Sequence, residues 1–204
     1  MAKLENKLIF KYGTMNSAKS ANLLMMAHNY KEQGLRALLI KPSIDTRSKG
    51  VIKSRMGLAA PCKEIDMLTN ISTLPIQDYD VILVDEAQFL LSAQVEELHM
   101  ISNFRPVICF GLLTDFKTNV FVGSKRLIEL ADKIEKIEAI CSCGKPAKFS
   151  LRVNKNGKVE TEGDQIQIGG NDIYKPFCKE CYFKYSYSFG LKMEKFKELL
   201  EPKW

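Results

Sequence analysis

Short apolar runs alternate with amphipathic helical patterns along the first two-thirds of the chain. Brief runs rich in Val, Ile and Leu predict strands at residues 8–12, 36–41, 80–85 and 106–111. Helical spacing predicts helices at residues 19–33, 92–102 and 123–132, the first of them ended by Gly34. Strands separated by helices are usually joined by right-handed crossovers, so this order predicts an α/β fold with a mostly parallel sheet.

Residues 43–78 interrupt this alternation. They are rich in Ser, Lys, Asp and Thr, with weak apolar patches only near Val51 and Ile65. Polar stretches between strands often bind ligands, so we predict a mobile binding loop here.

The pattern changes again near Ile140, where closely spaced cysteines begin. Residues 148–153 alternate like a strand, Asn156-Gly157 favours a hairpin turn, and 158–161 is the predicted return strand. Residues 162–176 are predicted to form a polar loop, and residues 191–200 a short terminal helix. We therefore predict two domains, at residues 1–140 and 141–204.

Composition narrows the choice of partners. The 204 residues are 46% apolar, which is enough for a sizeable core, and the net charge is +6. Basic and acidic residues are interspersed, so the charge permits an anionic ligand but argues only weakly for nucleic acid. No apolar run approaches the ~18 residues of a membrane span, and residues 1–7 lack the apolar stretch of an export signal. We expect a cytoplasmic protein without a membrane partner, in which paired cysteines bind metal rather than form disulfides.

A near match to a phosphate-binding loop stands between the first strand and the first helix: Gly13-Thr14-Met15-Asn16-Ser17-Ala18-Lys19-Ser20. Such a loop wraps backbone N–H groups around phosphate oxygens at a helix N-terminus. Lys19 would then pair with the outer phosphates, and the Ser20 hydroxyl would bind Mg²⁺. Ala18 stands where the usual pattern has glycine. The alternative is a turn that only caps the helix.

Two carboxylates follow the most apolar strand, at Asp85 and Glu86. Ligands of parallel sheets bind beyond the carboxyl ends of the strands, so both should face the same crevice as Lys19. One carboxylate can hold Mg²⁺, and the other can accept a proton from an attacking hydroxyl or water. The alternative is that they form an acidic N-cap for the next helix.

Two cysteine pairs predict a metal site: Cys141 with Cys143, and Cys178 with Cys181. Four thiolates suit a closed, structural, tetrahedral Zn²⁺ site that would tie together the ends of segment 144–177. The C-x-C spacing of the first pair is less common than C-x₂-C, and the alternative is four unlinked buried thiols. Cys62 and Cys109 have no close cysteine partner and are expected to be free thiols.

The tied segment contains Gly169-Gly170-Asn171-Asp172-Ile173-Tyr174. Paired glycines allow a backbone to approach a flat ligand closely, and a tyrosine ring can stack on one. An ordinary turn would have the same composition.

These motifs, in this order, resemble the type II thymidine kinases, the family of the human cytosolic enzyme and many bacterial ones. The resemblance covers nearly the whole chain. It rests on residues 13–20, Lys41-Pro42 with Asp45-Thr46-Arg47, 85–89, Gly111 with 114–117, 141–144, 168–174 and 178–182. It implies a P-loop, RecA-like, mostly parallel sheet flanked by helices. A small C-terminal zinc-binding domain would follow, made of a β-hairpin and a lasso loop that binds the nucleoside.

The resemblance also implies an activity: transfer of the γ-phosphate of ATP to the 5′-hydroxyl of thymidine or deoxyuridine, which yields dTMP in pyrimidine salvage. Glu86 would be the general base. ATP and Mg²⁺ would be bound by residues 13–20 together with Asp45, Arg47, Asp85, Glu86 and Gln88. The nucleoside would be bound by Met15, Leu112, Phe116, Phe121, Ser150, Arg152, Gln165, Ile166, Gln167, Ile168, Gly169, Gly170 and Tyr174. Members of the family are typically homotetramers, and many are inhibited by dTTP.

Ala18 is the departure from the family pattern. A methyl group where the backbone approaches the β-phosphate would cost roughly 1–3 kcal/mol, or about five- to 150-fold in ATP affinity. Two other functions stay open at this point. One is a regulator that binds nucleotides without turnover because of Ala18, and the other is a zinc-ribbon RecA-like ATPase acting on nucleic acid. The second lacks support from a basic stripe interleaved with aromatic residues.

Overall fold

In a computed structural model of the protein, the residues described are 5–46, 48–153, 159–160, 162–163, 165 and 174–186. The chain divides into two compact units. The first comprises Met1–Gly13, Ser17–Leu113 and Val120–Ile137, and the second comprises Thr14–Asn16, Thr114–Asn119 and Glu138–Trp204. Within the described part of the chain, no helix is both long and apolar enough to cross a bilayer.

The first unit is an α/β sheet structure. Its elements are β1 (Leu8–Gly13), α1 (Lys19–Glu32), β2 (Ala37–Pro42), β3 (Val51–Lys53), β4 (Ala59–Pro61), β5 (Lys63–Ile65), β6 (Val81–Val84), α2 (Ser92–Ile101), β7 (Val107–Gly111), α3 (Val122–Leu130) and β8 (Lys133–Ile137). Six strands form one sheet in the order β5-β2-β6-β7-β1-β8, and all neighbouring pairs are parallel. The predicted α/β class with a mostly parallel sheet is confirmed.

Helices cover both faces of this sheet. Successive side chains of a strand point to opposite faces, and the four residues of β6 are all fully buried. Ile82 and Val84 pack in one apolar cluster with residues of α2 and α3, whereas Val81 and Leu83 pack in a second cluster with residues of α1. Burial on both sides explains why β6 is a continuous apolar run in the sequence.

The prediction of a loop over residues 43–78 is wrong for part of that range. It contains the antiparallel hairpin β3–β4, the sheet-edge strand β5 and two short 3₁₀ turns, at Ile71–Thr73 and Ile76–Asp78. Single buried residues anchor these pieces, since Ile52, Ile65 and Ile71 are at most 2% exposed. Strands of three residues are too short to show a periodic pattern, so the sequence does not reveal them.

The edge strand β8 was also not predicted. Its sequence, Lys-Ile-Glu-Lys-Ile, alternates but is largely polar, and it pairs in parallel with β1. A strand this polar forms because β1 offers it backbone hydrogen-bond partners. Because β1 is distant in sequence, the local pattern does not reveal β8.

The second unit contains a small antiparallel sheet. Its elements are β9 (Phe149–Val153), β10 (Val159–Glu160), β11 (Tyr174–Phe177) and α4 (Lys179–Tyr185), with strand order β10-β9-β11. The predicted strand at 148–153 and its return strand are therefore present. The loop predicted over residues 162–176 extends too far, because Tyr174 already pairs with Arg152. Helix α4 is not predicted from the sequence. The turn at Asn156-Gly157 and the helix at 191–200 lie outside the described residues.

Candidate active site and metal centre

The turn between β1 and α1 has the backbone of an anion-binding loop. Asn16 and Ala18 adopt left-handed conformations, with φ of 64° and 59°. A Cβ atom at Gly13 would lie 2.9 Å from the Ile137 carbonyl oxygen, so this position requires glycine. Ala18 occupies the N-cap of α1 and makes no side-chain cap hydrogen bond. The alternative of a turn that only caps the helix therefore lacks its capping side chain.

Two polar side chains of the loop are buried. Ser17 is 4% exposed, and its Oγ has no hydrogen-bond partner among the described residues. Lys19, the first residue of α1, is also buried. Buried polar atoms are normally satisfied, so an unsatisfied hydroxyl next to a buried ammonium fits a site that binds an anion.

Ser20 and Asp85 lie together, as the sequence predicts. The Ser20 Oγ donates a hydrogen bond to Asp85 Oδ2 over 2.7 Å. Asp85 is 4% exposed, and its Oδ1 has no hydrogen-bond partner within the described part of the chain. Burial, and then the negative charge of Glu86, raises the pKa of Asp85 to about 7, although the Ser20 hydroxyl and Lys19 act in the opposite direction. A hydroxyl and a buried carboxylate with a spare oxygen are a donor set that fits Mg²⁺.

Replacement of Asp85 by Asn is expected to stabilise the ligand-free protein at pH 8 by about 1–3 kcal/mol. The folded-state pKa of Asp85 lies above the ordinary value of 3.8, so the carboxylate destabilises the fold progressively as the pH rises from about 4 to about 7, and the full cost is present above about pH 7. The advantage of the Asn variant should shrink as the pH falls from about 7 toward about 4. Thermal unfolding of both proteins without Mg²⁺ or nucleotide measures this difference.

The exposed Asp78→Asn substitution is the matched control for that experiment, because Asp78 lies on the surface. It should produce no comparable pH-dependent difference. An Asp85→Asn variant that is less stable than the unsubstituted protein at pH 8 contradicts the interpretation.

Glu86 is held by a buried amide. Gln88 is 2% exposed, and its Nε2 donates a hydrogen bond to Glu86 Oε2 over 2.6 Å. Its Oε1 accepts the Leu112 N–H over 3.0 Å, so the amide links the end of β6 to the end of β7. Glu86 has a left-handed backbone (φ 52°) and makes no side-chain cap hydrogen bond, so the acidic N-cap alternative is wrong. Sequence reasoning placed Gln88 at the nucleotide but missed this bridge, which depends on the adjacency of the two strands.

Leu112 and Phe121, two predicted nucleoside residues, lie in the first unit. The Leu112 carbonyl accepts a hydrogen bond from Ser124 Oγ over 2.5 Å. The Phe121 ring is 5% exposed and packs edge-on against Phe89, with 5.8 Å between ring centroids. Phe89 directly follows Gln88, so Phe121 packs against a residue of the segment that carries Glu86.

Other predicted nucleoside residues come together in the second unit. The Met15 N–H donates a hydrogen bond to Ser150 Oγ over 2.9 Å. The guanidinium carbon of Arg152 lies 4.1 Å from the centroid of the Phe116 ring, and Tyr174 is the strand partner of Arg152. An aromatic face, a hydroxyl and a buried cation are thus presented by neighbouring residues, which is the composition of a small-molecule site.

Arg152 is 5% exposed and makes contacts within its own unit. Its Nη2 donates a hydrogen bond to the Glu162 carbonyl over 2.8 Å, and its Nε forms an ion pair with Glu160. Gln165 is exposed, whereas the predicted residues Ile166, Gln167, Ile168, Gly169 and Gly170 lie outside the described part of the chain, as does Arg47.

The four predicted metal ligands form one cluster. The Sγ atoms of Cys141, Cys143, Cys178 and Cys181 all lie within 4.8 Å of one another, and those of Cys143 and Cys178 are 3.5 Å apart. Tetrahedral zinc with Zn–S distances of about 2.3 Å places sulfur atoms about 3.8 Å apart, so the cluster fits this ion. The convergence of the four sulfur atoms favours a metal site over four unlinked buried thiols.

The surroundings of Cys141 favour a thiolate, whereas the hydrogen bond with the Cys143 thiol, followed by burial, raises the pKa of Cys181 to about 12. Burial acts to raise the pKa of Cys141, but the backbone N–H groups of Cys143 and Cys178 and the neighbouring thiols lower it to about 6. In contrast, burial raises the pKa of Cys62 to about 11 and also raises that of Cys109. Both of these cysteines are free, as predicted.

Residues 6–182 match the family model described as "Thymidine kinase". The thymidine kinase of Streptococcus agalactiae serotype Ia is 46% identical over 185 residues, which is 87% of this chain and 97% of the relative. The thymidine kinase of Streptococcus pyogenes serotype M3 is 45% identical over 190 residues, with the same coverage. The Legionella pneumophila ATPase DotB aligns with 74% of this chain and 45% of its own at 13% identity, with a TM-score of 0.38, which is too weak to support an argument.

Proposed function

Because this chain belongs to the thymidine kinase family, we propose that it transfers the γ-phosphate of ATP to the 5′-hydroxyl of thymidine and deoxyuridine. The observation that carries the proposal is the group of residues at the ends of β1 and β6. There, a buried carboxylate accepts a hydrogen bond from Ser20, and a second carboxylate is held by Gln88. A regulator without turnover would not need both groups, and neither alternative function is favoured.

Binding of the ATP phosphates is assigned to residues 13–20. Their backbone N–H groups and the Lys19 ammonium would hold the phosphates of ATP. Ser20 and Asp85 would hold Mg²⁺, which when bound offsets the negative charge that develops on the phosphate oxygens. Asp45 and Arg47 are assigned to the same phosphate and metal region on the basis of the family pattern.

Glu86 is assigned as the general base. Its carboxylate would accept the proton of the 5′-hydroxyl while that oxygen bonds to the γ-phosphorus and the bond to the β-phosphate oxygen breaks, which releases ADP. The hydrogen bond from Gln88 occupies Oε2 and fixes the orientation of the carboxylate.

The nucleoside is assigned to apolar and aromatic side chains with a few hydrogen-bonding groups. These residues are Met15, Leu112, Phe116, Phe121, Ser150, Arg152 and Tyr174, together with the main chain of residues 165–170. In this scheme residues 1–140 form the nucleotide-binding domain, and residues 141–204 form the zinc and nucleoside-binding domain. The four cysteines would hold a structural Zn²⁺.

The family pattern extends the proposal to regulation and assembly. We expect a cytoplasmic homotetramer. We also expect inhibition by dTTP, because dTTP offers both the thymine base and a triphosphate to the residues assigned to thymidine and ATP.

A panel of nucleosides, assayed with labelled ATP and Mg²⁺, tests the proposed function. Labelled 5′-monophosphates of thymidine and deoxyuridine are expected, and no product from purine deoxynucleosides. Absence of transfer to any nucleoside overturns the proposal. ATP hydrolysis that requires DNA would support the nucleic-acid ATPase in its place.

Replacement of Ala18 by Gly is expected to stabilise the protein by about 0.5–1 kcal/mol and to lower the KM for ATP about fivefold or more. Ala18 has a φ of 59°, a conformation that glycine adopts without the steric cost of a Cβ atom. Removal of the methyl group also lets the backbone approach the phosphates. Thermal unfolding and initial rates at varied ATP concentrations measure the two effects.

Ala27→Gly in the middle of α1 makes the same chemical change where the backbone is helical. It should destabilise the protein by about 1 kcal/mol and leave the KM for ATP unchanged. Equal KM values for Ala18→Gly and the unsubstituted protein contradict the role given to the methyl group.

A further inference from the structure

Lys41 is a buried cation to which the proposed function gives no role. It lies in β2, next to Pro42, and is 1% exposed. Burial of an ammonium group costs several kcal/mol unless hydrogen bonds and opposite charges compensate for it. The contacts of Lys41 therefore indicate what this lysine does.

The Lys41 ammonium contacts the segment that follows β2. Its Nζ donates hydrogen bonds to the Asp45 carbonyl over 3.2 Å and to the Ser48 carbonyl. It also lies 3.7 Å from Asp45 Oδ2 and 3.5 Å from Glu64 Oε1. Two carbonyls and one carboxylate of the same short segment thus converge on one buried charge.

Further hydrogen bonds hold the segment at both ends. Near its start, the Ser43 N–H donates to the Ile65 carbonyl over 2.7 Å. Near its end, the Gly50 N–H donates to Glu64 Oε1 over 2.8 Å, and Ser48 Oγ donates to the Val51 carbonyl over 2.6 Å. Lys41 therefore contacts Asp45 and Ser48, which lie between these two backbone attachments.

We propose that Lys41 is a positioning residue for phosphoryl transfer, which anchors residues 45–48 and orients the Asp45 carboxylate. The inference rests on the proposed function, because Asp45 is assigned there to the phosphates and metal of ATP. An ammonium group suits this position because it donates hydrogen bonds to two carbonyls and also carries the charge that pairs with the Asp45 carboxylate. Its charge also offsets the two carboxylates, Asp45 and Glu64, that face it.

The Lys41→Met substitution tests the anchor, since Met fits a buried position but neither donates a hydrogen bond nor carries a charge. We expect a rise in the KM for ATP, or a fall in kcat, of about tenfold or more, with the KM for thymidine within about twofold. Kinetics are measured well below the unfolding temperature of each variant. An unchanged kcat together with an unchanged KM for ATP, or a rise in the KM for thymidine as large as the rise for ATP, overturns the proposal.

Two further variants separate anchoring from charge balance. Glu64→Gln removes a carboxylate from Lys41 but keeps an acceptor for the Gly50 N–H, so activity should stay within about twofold. A loss of activity in Glu64→Gln as large as that in Lys41→Met would overturn the anchoring role of Lys41. A double-mutant cycle compares kcat/KM for ATP in the single and double variants. In the Asp45→Asn background, Lys41→Met should lower this value by less than about a further twofold, because Lys41 acts through Asp45. Fully additive effects of the two substitutions on kcat/KM for ATP would contradict an action of Lys41 through Asp45.

Hydrogen exchange tests the anchor without any assay of activity. Lys41→Met should increase exchange in residues 43–50 and leave residues 81–84 of β6 protected. If Lys41→Met does not fold, Lys41→Gln, which keeps one amide donor group, replaces it and should show a smaller increase in the same segment. Unchanged exchange in residues 43–50 overturns the proposal. Absence of thymidine phosphorylation by the unsubstituted protein would instead overturn the proposed function.

Discussion

Replacement of Glu86 by Gln is expected to lower kcat for thymidine phosphorylation about 10²–10⁴-fold. Gln has nearly the same shape as Glu but cannot accept the proton of the 5′-hydroxyl. Its amide can still pair with Gln88, which now holds Glu86 Oε2 at 2.6 Å, so the fold and the KM for ATP should change little. Steady-state rates at saturating thymidine and varied ATP separate kcat from KM.

Glu32→Gln is the matched control, because Glu32 is an exposed residue at the end of α1. Its kcat should equal that of the unsubstituted protein. If the Glu86→Gln variant keeps more than about one-tenth of the original kcat, a group other than Glu86 accepts the proton of the 5′-hydroxyl.

Loss of the metal from the cysteine cluster is expected to abolish thymidine phosphorylation. Metal binding at structural zinc sites contributes about 10–16 kcal/mol to the folding of small domains, which equals or exceeds the net stability of most domains. The apolar cluster around Cys141 and Cys178 is small, with Leu151, Phe177 and Tyr182 among its buried members. Because its buried apolar cluster is small, we expect the second unit to depend on a bound metal for its stability.

The Cys178→Ser substitution and treatment with a strong chelator both test this expectation. Elemental analysis should find about one zinc per chain before treatment and none afterwards, with a lower unfolding temperature and little remaining activity. Cys62→Ser is the control, because Cys62 is free and lies outside the cluster. Full activity in a protein shown to hold no metal would contradict a structural role for zinc.

Several parts of this protein follow from local sequence because the interactions that form them are local. The loop after β1 needs Gly13 for close packing and a helix directly after Ser20, and both lie within a few residues. The strands β6 and β7 are continuous apolar runs, since both faces of each are covered. The order of these elements then predicts the parallel sheet, because crossover connections have one preferred hand.

The short strands β3, β4, β5 and β8 did not follow from local sequence. Strands β8 and β5 depend on backbone partners from another part of the chain, β1 and β2 respectively, whereas β3 and β4 pair with each other but have only three residues each. Residues 43–65 carry too few apolar positions for a periodic signal, although Ile52 and Ile65 are buried. Pairing, rather than propensity, decides whether such segments are strands.

The sequence by itself determined the chemical groups of this protein: the phosphate loop, two carboxylates after a buried strand, and two cysteine pairs. Only the tertiary structure decided how they are held. It set Gln88 between Glu86 and the end of β7, buried Lys41 against the Asp45 and Ser48 carbonyls, and brought the four thiols within 4.8 Å of one another. The physical reason is that residue type and spacing specify which atoms can donate, accept or bind metal. The orientation of those atoms depends on neighbours that are distant in sequence and meet only in the folded chain.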